Sequence, residues 1–299
     1  MKRIVSISLG SSTRDHAVEV EFMGEKVFVE RIGMDGDLKK VIALIESLDG
    51  KVDAFGMGGI DLYLFAGKRR YVIRDGAKIA KAAKLTPMLD GSGLKNTLER
   101  RVVNYLQNSL GIELKGKKVL MTSAVDRFGM AETFEQAGCQ MIFGDLIFAL
   151  GLPIPITKLS TVRRIANFTL PILTKMPFKM LYPTGNNQEE VTPKYNSYYT
   201  EAEIIAGDFL YIKKYMPSDL AGKIIVTNTV TSADLDELGR RGLKMLVTST
   251  PEMLGRSFGT NVIEALLVSF SNKRPDELVE QDYLDLLDRL EFQPRVVNF

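Results

Sequence analysis

A chain of 299 residues with one cysteine, one histidine and no tryptophan has few routes to thiol or metal chemistry. The lone Cys139 excludes an internal disulfide, and with only His16 beside it a protein-built zinc centre is not expected. Cys139 follows Gly138 where a strand should start, so it reads as a small buried hydrophobe. No Ser-His-Asp arrangement is suggested near His16. Excess charge of one sign is missing too: 39 basic against 37 acidic side chains leave a net charge of +2, and the basic residues are dispersed. That removes the electrostatic case for nucleic acid. Long apolar runs are absent. The opening MKRIVSISLG is too short for a signal peptide, and residues 141–156 are interrupted by Asp145, Pro153 and Pro155. The expectation is a cytoplasmic protein with no nucleic-acid and no membrane partner.

What is present is the composition of an ordinary globular protein, 45% hydrophobic and 25% charged, with enough length for one large or two ordinary domains. Residues 3–9, 17–23 and 26–32 read as strands, the last two joined by a tight turn at Gly24 and Glu25. A helix follows over 37–48, with Leu38, Val41, Ile42 and Ile45 on one face and Asp37 as its cap. Another strand over 52–55 ends in GMGGID, and a hairpin is expected over 62–73. The polar, glycine-flanked GIELKGK at 111–117 marks a boundary. The expected organisation is an α/β protein: an N-terminal mixed β-β-β-α-β domain over 1–113, a doubly wound, mostly parallel Rossmann-like domain over 114–272, and a docking helix with a tail over 273–299.

The second domain is read from short apolar runs at 224–226 and 245–247, the pattern of strands buried on both faces, with SADLDELGRRG between them as a crossover helix. KKVLMTS and KIIVTNT repeat one design, and MIFGD and IIAGD place Asp145 and Asp208 at matching strand ends. Further strands are expected over 178–182 and 203–206. In such sheets ligands bind beyond the carboxyl ends of the strands. Thr122, Ser123, Asp126, Asp145, Thr184, Asp208, Asn228 and Ser249 fall there. The loop that follows, with Gly255, Arg256, Ser257, Gly259 and Thr260, leads into an apolar helix whose free amides favour an anion. Thr122, Ser123, Asn228 and Ser249 with these loop residues are the expected cofactor contacts, and the expected partner is a small anionic molecule. In the first half, DGSGLKNTLERR sets glycines before a helix that carries Lys95 in its first turns. An anion near Lys95 and a merely solvated lysine fit that pattern equally. A homo-oligomer is allowed by the amphipathic C-terminal segment with Leu286, Leu287 and Leu290.

At GSSTRDH, GMGGIDLYL, DGSGLKNTLERR and GRSFGTN the chain resembles proteins labelled quinate/shikimate 5-dehydrogenase. That resemblance implies two α/β domains and oxidation of a hydroxyl of a cyclic polyhydroxy acid with NAD or NADP. It also implies a lysine and an aspartate as the proton-handling pair, for which Lys95 with Asp126 or Asp61 are the candidates. In this chain TSAVDRFGM stands where that family has a glycine-rich turn. Two other readings remain open. One is a non-catalytic binding protein for a phosphorylated or carboxylated metabolite, since Ser, Thr, Asn and Gly edges suffice for binding. The other is a phosphotransferase of actin-like fold, suggested by a strand, the loop GSST and a hairpin at the start.

Overall fold

The computed structural model describes residues 1–67, 69–177, 194–250, 259–271 and 273–299, with the backbone alone of 252–253 and 256–257. The first sheet is built from β1 (Lys2–Ser8), β2 (His16–Phe22), β3 (Glu25–Gly33), β4 (Ala54–Gly58) and β7 (Met88–Leu89) in the order β2-β3-β1-β4-β7. Only β2 runs antiparallel to its neighbour; the rest of the sheet is parallel. Side chains alternate across it as the two-residue period of a strand requires. Val5, Ile7, Phe55 and Met57 pack on one face with α1 (Leu38–Leu48) and α2 (Arg74–Ala80). Ile4, Val27, Val29 and Ala54 belong to the other face. Asp37 caps α1 as expected, accepting the amides of Lys39 and Lys40. The expected hairpin is β5 (Tyr63–Ala66) with β6 (Arg69–Val72). The chain leaves this domain through α3 (Ser92–Asn108).

The second sheet collects β8 (Lys118–Met121), β9 (Gln140–Phe143), β10 (Ile204–Ala206), β11 (Ile224–Thr227), β12 (Met245–Thr248) and β15 (Arg295–Asn298), in the order β15-β12-β11-β10-β8-β9. All pairs are parallel except the edge strand β15, which runs antiparallel to β12. Val119, Met121, Ile204 and Val226 face a core shared with α3, α4 (Phe128–Gln136) and α5 (Leu159–Leu173). Leu120, Ile205, Ile225 and Leu246 face the opposite core, with α6 (Asn196–Glu201), α7 (Phe209–Tyr215) and α8 (Ser232–Arg240). Burial on both faces is why these strands read as continuous apolar runs. Taken in chain order the parallel strands lie 2-1-3-4-5, with the topological switch between β8 and β10. The mixed α/β architecture with a Rossmann-like parallel sheet is thus as expected.

Two boundaries differ from the expected ones. Beyond the short hairpin of β13 (Glu252–Met253) and β14 (Arg256–Ser257), α9 (Thr260–Val268) packs against the first sheet, with Val262, Ile263, Ala265 and Leu266 in the core of Ile4 and Ala54. It lies within the segment 114–272 in sequence but serves the other sheet in space. Then α10 (Glu280–Arg289) docks Leu286 and Leu287 into that same core, and the final residues are no loose tail: they form β15. The chain crosses between the two sheets three times, at α3, at α9 and at β15. The strand expected over 178–182, Thr184 and Gly255 lie outside the described residues. Among those described, no helix is long and apolar enough to cross a membrane.

Candidate functional site

Parallel strands that share a direction bring their carboxyl ends to one rim, and here both sheets turn that rim towards the same cleft. Ser8, Gly58, Asp61 and Asp90 line it from the first sheet, and Ser123, Asp126, Asp145, Asp208 and Asn228 from the second. Its volume is about 970 Å³, ample for a small metabolite.

The centre of the cleft is Lys95, in the first turn of α3. Its Nζ lies 2.5 Å from Oδ1 of Asp126 and 3.8 Å from Oδ1 of Asp61. Two local devices bring these residues together. Gly91, at φ +91°, takes the left-handed conformation that starts α3, and a Cβ there would stand 2.7 Å from the backbone nitrogen of Asn261. Asp90 then ties α3 to the β4–β5 connection: one carboxylate oxygen accepts the amides of Leu62 and Tyr63, the other the amide and hydroxyl of Ser92. Asp61 is thereby held beside Lys95.

The three groups set one another's charge. Burial acts against the Lys95 ammonium, but Asp126 and Asp61 overcome it and hold its pKa above the usual value. Asp126, equally desolvated, is pulled below the carboxylate range by Lys95 and Arg127. Asp61 goes the other way, pushed up to about 7 by burial, with Asp126 and Asp90 adding repulsion that Lys95 only partly offsets. Adjacent carboxylates divide in this way because one proton relieves the repulsion of both.

Behind this trio sits Arg127, 4% exposed, which the sequence did not mark out as functional. Its guanidinium meets Glu99 at 2.8 Å, Asp208 at 2.9 Å and Asp126 at 3.2 Å. Asn228 donates to Asp208 and accepts the amide of Phe209, so the ends of β8, β10 and β11 are cross-linked through one buried cation. A signal for part of this was present: Glu99 stands four residues after Lys95, on the same face of α3.

Asp145 and Asp208 occupy matching positions beyond β9 and β10, as the repeated sequence design anticipated. Asp208 caps α7 through the amide of Leu210. Asp145 uses Oδ1 to accept the amides of Ala124 and Val125, while its Oδ2 is buried with no hydrogen-bond partner among the described residues. Burial pushes its pKa up to about 6 against those two amides. In a doubly wound sheet the turn after the strand at the switch point offers its amides to phosphate. Here two amides of that turn already serve a carboxylate, and Asp126 and Asp208 stand close by. The turn therefore does not fit a pyrophosphate.

The expected cofactor contacts divide. Ser123, Asn228, Gly259 and Thr260 line the cleft. Thr122 and Ser249 do not: Thr122 is 1% exposed and hydrogen-bonded to the carbonyl of Ala206, and Ser249 is 2% exposed with its amide on the carbonyl of Thr227. Both belong to the packing at the strand ends. Of Arg256 and Ser257 only the backbone, in β14, is described, and Gly255 lies outside the described residues. Cys139 is half-buried, donates to the carbonyl of Leu114 and has its thiol pKa pushed up to about 11 by burial, as suits a packing residue.

A family profile described as a domain of unknown function, DUF8754, matches residues 93–299, and another, DUF8753, matches residues 3–90. No curated protein matches. Solved structures with a similar course of chain include a galactofuranose binding protein, 13% identical, covering 97% of this chain and 99% of that one at a TM-score of 0.36. An ABC transporter solute binding protein from Agrobacterium vitis bound with alpha-D-tagatopyranose is 12% identical, covering 100% and 95% at 0.41. An NAD-dependent malic enzyme from Thermotoga maritima is 10% identical, covering 97% and 84% at 0.34. At such scores none of these likenesses bears on function. The two profiles meet at the start of α3, where the chain turns from the first sheet to Lys95, and the match over residues 93–299 makes this chain a member of the DUF8754 family.

Proposed function

We propose that this protein binds a small hydroxylated metabolite, carrying a carboxylate or phosphate, in the cleft between its two sheets. The observation that carries the reading is the Lys95, Asp126 and Asp61 trio, open to one cleft shared with Asp145, Asp208 and Asn228. A hydroxyl both donates and accepts. Carboxylates accept a hydrogen bond from its O–H, and an ammonium donates one to its oxygen. Several carboxylates around one lysine match a molecule with several hydroxyls better than they match a pyrophosphate. Calorimetric titration with polyols, sugar acids and sugar phosphates tests the reading. Binding to the wild type that Asp126→Asn weakens about 10-fold or more supports it, since hydrogen bonds to charged groups contribute about 1.5–3 kcal/mol. Binding unaffected by that change contradicts it.

The close Lys95–Asp126 contact favours one second reading, an NAD- or NADP-dependent oxidoreductase acting on a quinate-like hydroxyl. In that case Lys95 would hold the reacting hydroxyl by donating to its oxygen, and the Asp126 carboxylate would take up its proton. The reading is weakened by the β8–α4 turn, whose amides are taken by Asp145. Reduced nicotinamide formed from quinate or shikimate, and lost in Lys95→Ala, would favour it over binding alone.

A further inference from the structure

The same cleft is also lined by two arginines of the first domain. Arg14 ends the short turn Ser12–Arg14 after β1, and Arg31 stands on β3 in register with His16; all three line the cavity. Of the carboxylates nearby, one pairs with Arg31, the other is taken by Ser12, and neither pairs with Arg14 among the described residues. Asp15 accepts from Arg31 at 2.6 Å and from the amide of Gly33, and Asp35 accepts from the amide and hydroxyl of Ser12. Both acids are exposed, and neither lines the cleft. Arg31 is further fixed by the hydroxyl of Ser8 at 3.1 Å and the carbonyl of Ser11 at 3.0 Å. Arg14 is half-buried and makes no ion pair among the described residues. Burial first, and then the charge of Arg14, bring the pKa of Arg31 down to about 10. Lys95 has two carboxylates for its one charge, whereas among the described residues Asp15 is the one carboxylate paired with either arginine.

Neighbouring guanidiniums that face one cavity repel each other unless an anion lies between them, and a guanidinium's planar fork suits a carboxylate or phosphate. We infer that Arg14 and Arg31 form the subsite for the anionic group of the cleft ligand, so that its negative charge sits at the β1 end and its hydroxyls at Lys95, Asp126 and Asp61. The inference rests on the binding reading given above and narrows the ligand to one that carries both features. The anion is thereby assigned to the corner between β1 and β2 instead of the loop before α9.

The test is calorimetric titration of the full-length protein with quinate and glucose 6-phosphate, and with methyl quinate and glucose as their uncharged counterparts. The two anions separate carboxylate from phosphate recognition. At least one anion binds about 10-fold or more tightly than its counterpart, and binding weakens with added salt. Arg14→Gln lowers that affinity about 10- to 100-fold, and Arg14→Lys recovers part of it. If the uncharged compounds bind equally well, or Arg14→Gln binds the anions as the wild type does, the subsite is overturned and the cleft reading stands. If none of the four binds, both are overturned. Arg14 lies on a surface turn outside the cores, so unchanged thermal unfolding of the variants is expected and separates lost binding from lost folding.

Discussion

Lys95 and Asp126 lie 31 positions apart in sequence and 2.5 Å apart in space, one in the first turn of α3 and the other in the turn before α4. Helix α3 packs Leu94 and Leu98 in the core of the first sheet and Val102, Val103 and Leu106 in that of the second, while the turn of Asp126 is flanked by Ala124 and Phe128 in the second core. Breaking the contact leaves carboxylates with reduced compensation. Lys95→Met is expected to destabilise the protein by about 2 kcal/mol, short of the about 3–5 kcal/mol for a fully buried pair because the side chains keep some solvent contact. Urea unfolding measures this.

Arg127 is the more costly residue to lose. It neutralises Glu99, Asp208 and Asp126 at once from a nearly closed position. Arg127→Met is expected to cost about 3–5 kcal/mol, more than Glu99→Gln, which removes one partner and keeps the cation. The order of the two unfolding midpoints in urea is the readout.

Asp61 gives a pH signature. Its folded pKa is raised, so between the unfolded value near 3.8 and the folded value of about 7 the native state holds a proton that the unfolded chain has released. Stability from this group is full below that window and lost as pH rises through it. Asp145, pushed up to about 6, and Glu264, buried against Tyr283 and the amide of Gly91 and pushed up to about 7, have the same sign. Asp126 has the opposite sign and is lost only in acid. Asp61→Asn is therefore expected to match the wild type only below about pH 4, and to exceed it by a margin that grows from there to about pH 7 and then levels off. Melting temperatures across that range decide the point.

Gly91 controls the approach of α3 to α9. A side chain there would combine a left-handed φ with a Cβ 2.7 Å from backbone. Gly91→Ala is expected to cost about 2 kcal/mol or more, strain and overpacking together. Gly24, also at positive φ but with open space around it, is expected to lose less. Denaturant titration of the two variants compares them.

Much of the fold was legible because its signals are local. Asp37 before an amphipathic run, the Gly24 turn and the apolar runs of β8, β11 and β12 each carry their structure within a few residues. The site was legible only in part. Asp145 and Asp208 could be placed from the repeated strand design. Thr122 and Ser249 could not be sorted from Ser123 and Asn228, because a strand end alternates sides and only the packed sheet shows which side is open. Arg127 escaped because an arginine after an aspartate reads as surface until its three partners are known to converge. The return of α9 to the first sheet is a long-range event. Its hint was the run VIEALLVSF, apolar on more than one face, which suits a helix wedged between layers.

The most direct test of the account is calorimetric titration of wild type and Asp126→Asn with hydroxylated carboxylates and sugar phosphates. The account predicts saturable binding by the wild type with at least one of them, weakened about 10-fold or more by the substitution while the variant remains folded. No binding to the wild type, or equal binding to both proteins, would contradict it.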